Sequence, residues 1–559
     1  MVTKRLWLAA LPLLLECKES TSPPPPASCT SGGVQVNLAA PGLYAAFDPS
    51  ASSGCTIFPA NGSASSAEYL LVPQSASGTP NDTQSFKLQG GGLMAATLAG
   101  QVIAPEGAPP PLSPAEQFHL FLRRAERVRS YPVPPGWQRG AAVPSAQFAP
   151  LTITPIDSGV KDTFKVCGNL TCDTPLPKVV ATAQKVGQHI AIFVDDSAPP
   201  NGLTQSDLGA LRAVFDTQLY KVDTTAFGRE SDIDSNGVVI VLMTNKVNKL
   251  VTSPCSAGFI AGYFFGADID PVFRASYNNA EIFYSIVADP TGTLSCAHQA
   301  SQVKTLVPVT FVHEFQHMIS YNQHVLKRSG EAEILWLNEA LSHYAEERGG
   351  RSFLPDTATF CNYVAGDLFN SWAYDTATGN HFLVDTAGIG GLAERGAYWL
   401  FLRYLIDQFA DTSLAAADAF TRTLDQTSAT GVTNVQNAGR GTPFATLVER
   451  WSLANYVSDL PGFPAELQYR SWRFRTDYPL LSGRCPNASP RIPTRFQLVP
   501  GVRAGSAVDT AGVLRAGSGM YYRALQSAGA AGFTLLFSDA AGGALRASVV
   551  PRLNVIRIQ

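Results

Sequence analysis

From residue 34 to about 104, short apolar runs alternate with Gly/Ser/Asn turns (GLYAAFD, AEYLLVPQS, SFKLQG, GLMAATLAG), a rhythm that predicts a small β unit. Residues 115–128 (AEQFHLFLRRAERV) switch to helical spacing, and His119 within them reads as a surface or packing histidine. Residues 131–150 are rich in Pro and Gly and read as a linker or long loop. FKVCG, KVVATAQKVG and HIAIFVDD then predict three strands, residues 204–219 a helix, and GVVIVLMTN a strongly apolar strand. A glycine- and aromatic-rich stretch over 248–270 and the run EIFYSI follow; either can supply an edge strand.

Helical patterns dominate the next part of the chain: 307–323, then 332–348 stopped by Gly349 and Gly350, then 393–409, 414–424 and 444–456. Residues 351–390 read as a long region of aromatic loops. From about residue 469 the strand pattern returns (TRFQLVPG, AGVLRAG, MYYRAL, GFTLLFSD, LRASVVPRL, NVIRI) and predicts a β-sandwich. The fold class expected is α+β, with a strand-rich upper lobe and a helical lower lobe, flanked by small β domains. The units expected are a signal peptide and Pro/Ser-rich tether over 1–30, an N-terminal β domain or prosegment over 31–130, a linker over 131–154, a central domain over 155–465 and a C-terminal β-sandwich over 466–559.

Composition narrows the setting. The 559 residues are 45% hydrophobic but only 15% charged, with a net charge of -3, which argues against a nucleic-acid partner. Lys4 and Arg5 precede about ten apolar residues, too few to span a bilayer and suited to a signal peptide. Cys17 and a Ser/Thr/Pro tract follow, as in a bacterial lipoprotein, although Glu16 departs from the small residue expected there. The expected setting is therefore secreted or cell-surface, with lipidated Cys17 as the route to membrane anchoring, and a monomer. Of nine cysteines, the remaining eight are even in number, as disulfides require, and Cys29–Cys55 and Cys167–Cys172 are the natural local pairs.

The chemistry concentrates in 312–347, VHEFQHMISYNQHVLKRSGEAEILWLNEALSHYAEE. His313 and His317 are four residues apart, so a helix stacks both imidazoles on one face. Glu314 completes H-E-x-x-H, in which two histidines hold Zn2+ and the glutamate is general base. Val307, Phe311, Phe315, Met318 and Ile319 make this an apolar helix wall, where two histidines and a glutamate need partners. A third ligand is required, and Glu339 is the leading candidate, with His343, one turn on, as the alternative. Glu346 and Glu347 read as a solvated helix end, Glu346 also within reach of a partner of the site. For the group that steadies the developing oxyanion, His381 and Tyr374 lead because they fall in expected loops; Tyr321, Tyr398 and Tyr404 follow. Asp232, Asp234 and Asn236 spell D-x-D-x-N-G, the start of a Ca2+ loop, but Met243 stands where its glutamate belongs, and an Asx-rich turn explains the run equally well.

HEFQHMI followed by EILWLNEALSHYAEE resembles the glutamate-zincin superfamily and, more narrowly, the hyicolysin family of secreted bacterial neutral metallopeptidases. The resemblance covers most of 155–460. It implies a zincin catalytic domain, with His313, His317 and Glu339 as ligands, Glu314 as catalytic base, and proteins or peptides as substrates. One departure is His343, where thermolysin-like relatives carry an aspartate that orients a zinc histidine. Two other readings stand beside the endopeptidase: a zinc aminopeptidase, for which no G-x-M-E-N-type segment is found, and a catalytically silent cell-surface binding protein.

Overall fold

The computed structural model describes residues 29, 32–92, 112–133, 156–252, 258–386 and 391–559. The signal-like segment with Cys17, most of the expected linker and Cys255 lie outside the described residues. Five strands come first: β1 Val34–Gln35, β2 Tyr44–Phe47, β3 Cys55–Phe58, β4 Ala67–Ser75 and β5 Thr83–Gly92. Helix α1 (Pro114–Val128) follows, started by a capping box between Ser113 and Glu116.

The upper lobe is one mixed sheet. Its strands are β6 Lys161–Lys165, β7 Lys178–Val186, β8 Ile190–Asp195, β9 Val239–Met243, β10 Gly262–Phe264 and β11 Ile282–Ser285, in the order β10-β11-β9-β8-β7-β6. β8, β9 and β11 run parallel, and their side chains are almost all buried, as continuous apolar runs covered on both faces should be. β10 pairs antiparallel with β11 alone and forms the edge. Between β8 and β9, helix α2 (Gln205–Val214) passes through a π-helical turn at Phe215–Leu219 into α3 (Tyr220–Ala226). A single helical turn, α4 (Asn245–Asn248), follows β9.

The lower lobe is helical: α5 Ala300–Tyr321, α6 Leu335–Arg351, α7 Thr357–Thr376, α8 Leu392–Phe409, α9 Leu414–Asp425, α10 Gly431–Ala438, α11 Phe444–Val457 and α12 Phe474–Arg484. α5 starts seven residues earlier than its pattern predicts and carries Pro308 inside it. From Thr310 to Tyr321 every residue of α5 is buried, the signature of a helix enclosed on all sides. Phe311 meets Phe283 of β11 edge-on at 5.0 Å, which docks the helix beneath the sheet.

Two expectations are corrected here. Gly349 and Gly350 do not stop α6; a Cβ on Gly350 would lie 2.8 Å from that of Tyr363, so the glycine admits the close approach of α7. The expected aromatic loops of 351–390 contain α7 instead, capped by Asp356 and placing Phe360, Val364 and Leu368 in the core.

The chain ends in β12 Val502–Ala504, β13 Asp509–Arg515, β14 Tyr522–Gln526, β15 Phe533–Asp539 and β16 Pro551–Arg557. These do not form a sandwich by themselves. One sheet has the order β1-β3-β15-β5-β13 and the facing sheet β12-β14-β4-β16-β2. β15 lies between β3 and β5, and β4 between β14 and β16. The residues expected as two separate β domains therefore build one sandwich, because strands from either end alone would leave apolar faces and unpaired edges. TRFQLVPG forms none of its strands. Cys29–Cys55 and Cys167–Cys172 are disulfides as expected; Cys361–Cys485 joins α7 to the end of α12, and Cys296 is also disulfide-bonded.

Candidate metal centre

α5 and α6 cross so that three donor groups meet. Nε2 of His313 and Nε2 of His317 are 3.2 Å apart. The Glu339 carboxylate faces both, with Oε2 3.7 Å from Nε2 of His313 and Oε1 3.7 Å from Nε2 of His317. All three donors lie within 4.8 Å of one another. Tetrahedral zinc with bonds of ~2.0–2.1 Å sets its donors about 3.3 Å apart, so this spacing fits a metal.

The surroundings make the same case chemically. His313 Nδ1 lies 2.6 Å from Glu346 Oε1, and His317 Nδ1 faces Asn338 Oδ1. Both partners accept, so both rings carry their proton on Nδ1 and aim an Nε2 lone pair at the centre. Glu339 is 1% exposed, and neither of its oxygens has a hydrogen-bond partner. Two lone pairs and a carboxylate without a hydrogen bond, crowded together, repel one another unless a cation sits among them. Burial pushes the Glu339 carboxyl up, but the charge of Arg395, with Nη1 3.7 Å away, leads the groups that hold it well below the usual range. Burial pushes His317 down, which favours the neutral form a metal needs.

Glu314 is buried beside this cluster, and its Oε2 accepts from Phe264 N–H at 2.7 Å. Burial pushes its carboxyl up, against the pull of His313 and Arg123. The general base expected from the motif thus sits between the metal donors and the edge strand.

His343 does not join His317 and Glu339. Its Nδ1 lies 3.2 Å from Glu346 Oε1 and 3.0 Å from Asp367 Oδ1. Burial works against the charged imidazole, but the two carboxylates raise it to about 10, making a buried cation that supports Glu346. His313, His343 and Glu346 also cluster within 4.8 Å, but 2.6 Å between His313 and Glu346 is a hydrogen-bond distance, too short for two ligands of one zinc. The solvated helix end expected at Glu346 and Glu347 is corrected: Glu347 is fully buried and accepts from the indoles of Trp399 and Trp472.

The oxyanion candidates scatter. His381 is partly exposed and holds Glu394 Oε1 at 2.8 Å, next to Arg395. Tyr374 belongs to α7 rather than a loop; its ring stacks on Trp451 and its hydroxyl meets Ser518 Oγ at 3.3 Å, at the junction with the sandwich. Tyr321 donates to Asp270, Tyr398 to Asp385 and Tyr404 to the Glu466 carbonyl. The D-x-D-x-N-G run is a turn in which Asn236 donates to Asp234 and accepts from Val238 N–H. The third carboxylate that clusters with Asp232 and Asp234 is that of Glu281, and it already accepts from Ser231 and Ile233. The calcium set expected there is corrected accordingly.

Sequence reading missed the position of α1. His119, read as a surface or packing residue, lies within electrostatic reach of Arg395, Glu339 and His313. A partly buried histidine beside the apolar stripe of a capped amphipathic helix was the available signal.

No family model matches the chain. Over 161 residues it is 28% identical to the neutral metalloprotease ShpI of Staphylococcus hyicus, a stretch covering 29% of this chain and 34% of that protein. The chain thus matches about a third of the length of this curated relative. The histidine–histidine–glutamate cluster and this likeness together support placement in the thermolysin-like zincin superfamily.

Proposed function

We propose that this member of the thermolysin-like zincins is a zinc-dependent endopeptidase of the hyicolysin type, acting on extracellular proteins and peptides. In this reading His313, His317 and Glu339 hold the zinc, Glu314 is the general base, and 155–465 is the catalytic unit. The observation that carries it is the convergence of two Nε2 atoms on an unpartnered carboxylate, with a second glutamate at the edge strand. Zinc, when bound, polarises the scissile carbonyl and acidifies water.

The chain's own residues do the rest. Glu314 takes a proton from the attacking water as its oxygen bonds to the carbonyl carbon. It passes that proton to the amide nitrogen as the C–N bond breaks. The hydrogen bond from Phe264 N–H fixes one Glu314 oxygen and leaves the other for the proton. Glu346 and Asn338 orient the two imidazoles. In this reading an extended substrate pairs with β10, the edge strand of the upper sheet. His381 is the favoured donor to the carbonyl oxygen, because the Tyr374 hydroxyl is committed to Ser518. Among the described residues no helix is long and apolar enough to cross a membrane. Export by the N-terminal basic and apolar segment, with Cys17 as an anchor, belongs to the same proposal.

The test is zinc content together with casein hydrolysis, comparing the parent with Glu314→Gln. One zinc per chain should remain in both, with hydrolysis falling by about 10²–10⁴-fold in the variant. Full activity in Glu314→Gln removes the mechanism.

A further inference from the structure

The edge of β10 is already taken. Strand geometry turns Tyr263 toward β11, so the backbone N–H and C=O of Phe264 both point outward. The N–H goes to Glu314; the C=O accepts from Arg123 Nη2 of α1 at 2.8 Å. Two residues further on, Gly266 N–H donates to Glu126 Oε1 at 2.8 Å. Arg123 and Glu126 pair with each other at 3.1 Å, and both are buried. One donor and one acceptor from a helix thus occupy backbone groups that an incoming strand would use.

The same helix reaches the lower lobe. Glu116 Oε1 accepts from Leu392 N–H at the start of α8, and Arg127 Nη1 donates to the Ala332 carbonyl just before α6. Phe118 and Leu122 are fully buried beneath it. One turn before Arg123, His119 lies within electrostatic reach of Arg395 and Glu339. With α1 seated on Phe264, Ala332 and Leu392, the would-be ligands and Glu314 are at most 7% exposed. The fit is also imperfect: Nε and Nη1 of Arg123 are buried without hydrogen-bond partners, a cost that displacement into water removes.

We infer that α1 is an intramolecular occupant of the substrate groove, binding across both lobes through Arg123 and Glu126 and excluding substrate until it is displaced. This rests on the endopeptidase reading. It means that substrate and helix compete, and that apparent affinity is reduced by the fraction of molecules with the groove free.

The experiment uses the full zinc-loaded chain. Amide hydrogen exchange over 114–128 is followed with and without a saturating dipeptide hydroxamate. Exchange of the helix should rise about tenfold or more when the hydroxamate binds. In parallel, the double variant Arg123→Met with Glu126→Gln should raise kcat/KM for a short peptide by about tenfold at unchanged zinc content. A helix that stays protected with the hydroxamate bound, or a double variant that keeps zinc but loses activity, overturns the inference alone. Absence of both zinc and hydroxamate binding overturns it together with the endopeptidase reading.

Discussion

Glu346 stands two turns beyond Glu339 on α6 and receives the Nδ1 proton of His313 at 2.6 Å. Relatives of the thermolysin type, which this chain resembles, use an aspartate one turn beyond the ligand glutamate for that task. Here that position is His343, which instead braces Glu346 from the other side. Moving the acceptor one turn outward lengthens the side chain needed, and glutamate has the extra methylene.

Glu346→Ala should therefore weaken zinc retention by about 10–100-fold, the usual effect of losing the group that orients a ligand histidine. Competition with a chromogenic chelator measures it. Asn338→Ala should act in the same direction through His317, whereas retention equal to the parent in both would show that the rings need no orientation.

Glu333 gives the chain a pH dependence away from the metal centre. Burial pushes its carboxyl up to about 7, despite hydrogen bonds from Asn434, Gly431 and Ile334. The folded state then holds a proton that the unfolded chain releases near 4.5, so this contribution to stability is complete below about 4.5 and is lost as pH rises through about 7. Glu333→Gln removes that titration. Thermal scans should show the parent losing Tm relative to the variant between those two pH values, and parallel curves would contradict it.

Gly396 fixes the spacing of α7 and α8. A Cβ there would stand 2.2 Å from the backbone oxygen of Asn370. Gly396→Ala must push the helices apart, and should cost at least about 1–3 kcal/mol in denaturant unfolding. Because Arg395 leans on Glu339 from the adjacent position, zinc retention should fall as well.

The Cys361–Cys485 bridge closes a span of 124 residues around the lower lobe. Replacing both with serine should lower stability by about 2–4 kcal/mol. Denaturant midpoints of the oxidised parent and the double variant test it.

Local patterns carried most of the elements that were read correctly. The four-residue spacing of His313 and His317 needs only a helix to become a pair, and β8 and β9 declare themselves by unbroken apolar runs. Glu346 was ambiguous because a carboxylate near a helix end looks the same whether it meets water or a neighbouring imidazole; the angle between α5 and α6 decides, and no short window contains it. α7 was obscured by its mixture of aromatic and polar residues, although Asp356 and the spacing of Phe360, Val364 and Leu368 were a readable start. Strands of the sandwich were visible but their partners were not, since Gly91 meets Thr534 across 443 residues.

That long-range pairing has a consequence for any nicked form of the protein. Severing the backbone between β5 and β6 would yield two polypeptides on a denaturing gel and one particle in solution. Among the described residues the shorter piece keeps Cys29–Cys55 to itself and shares no disulfide shown with the longer one, yet β4 and β5 are each gripped on both flanks by strands from the far end. Maturation of this chain by a single scission there would rearrange its ownership of ends while adding no more than one water to its mass.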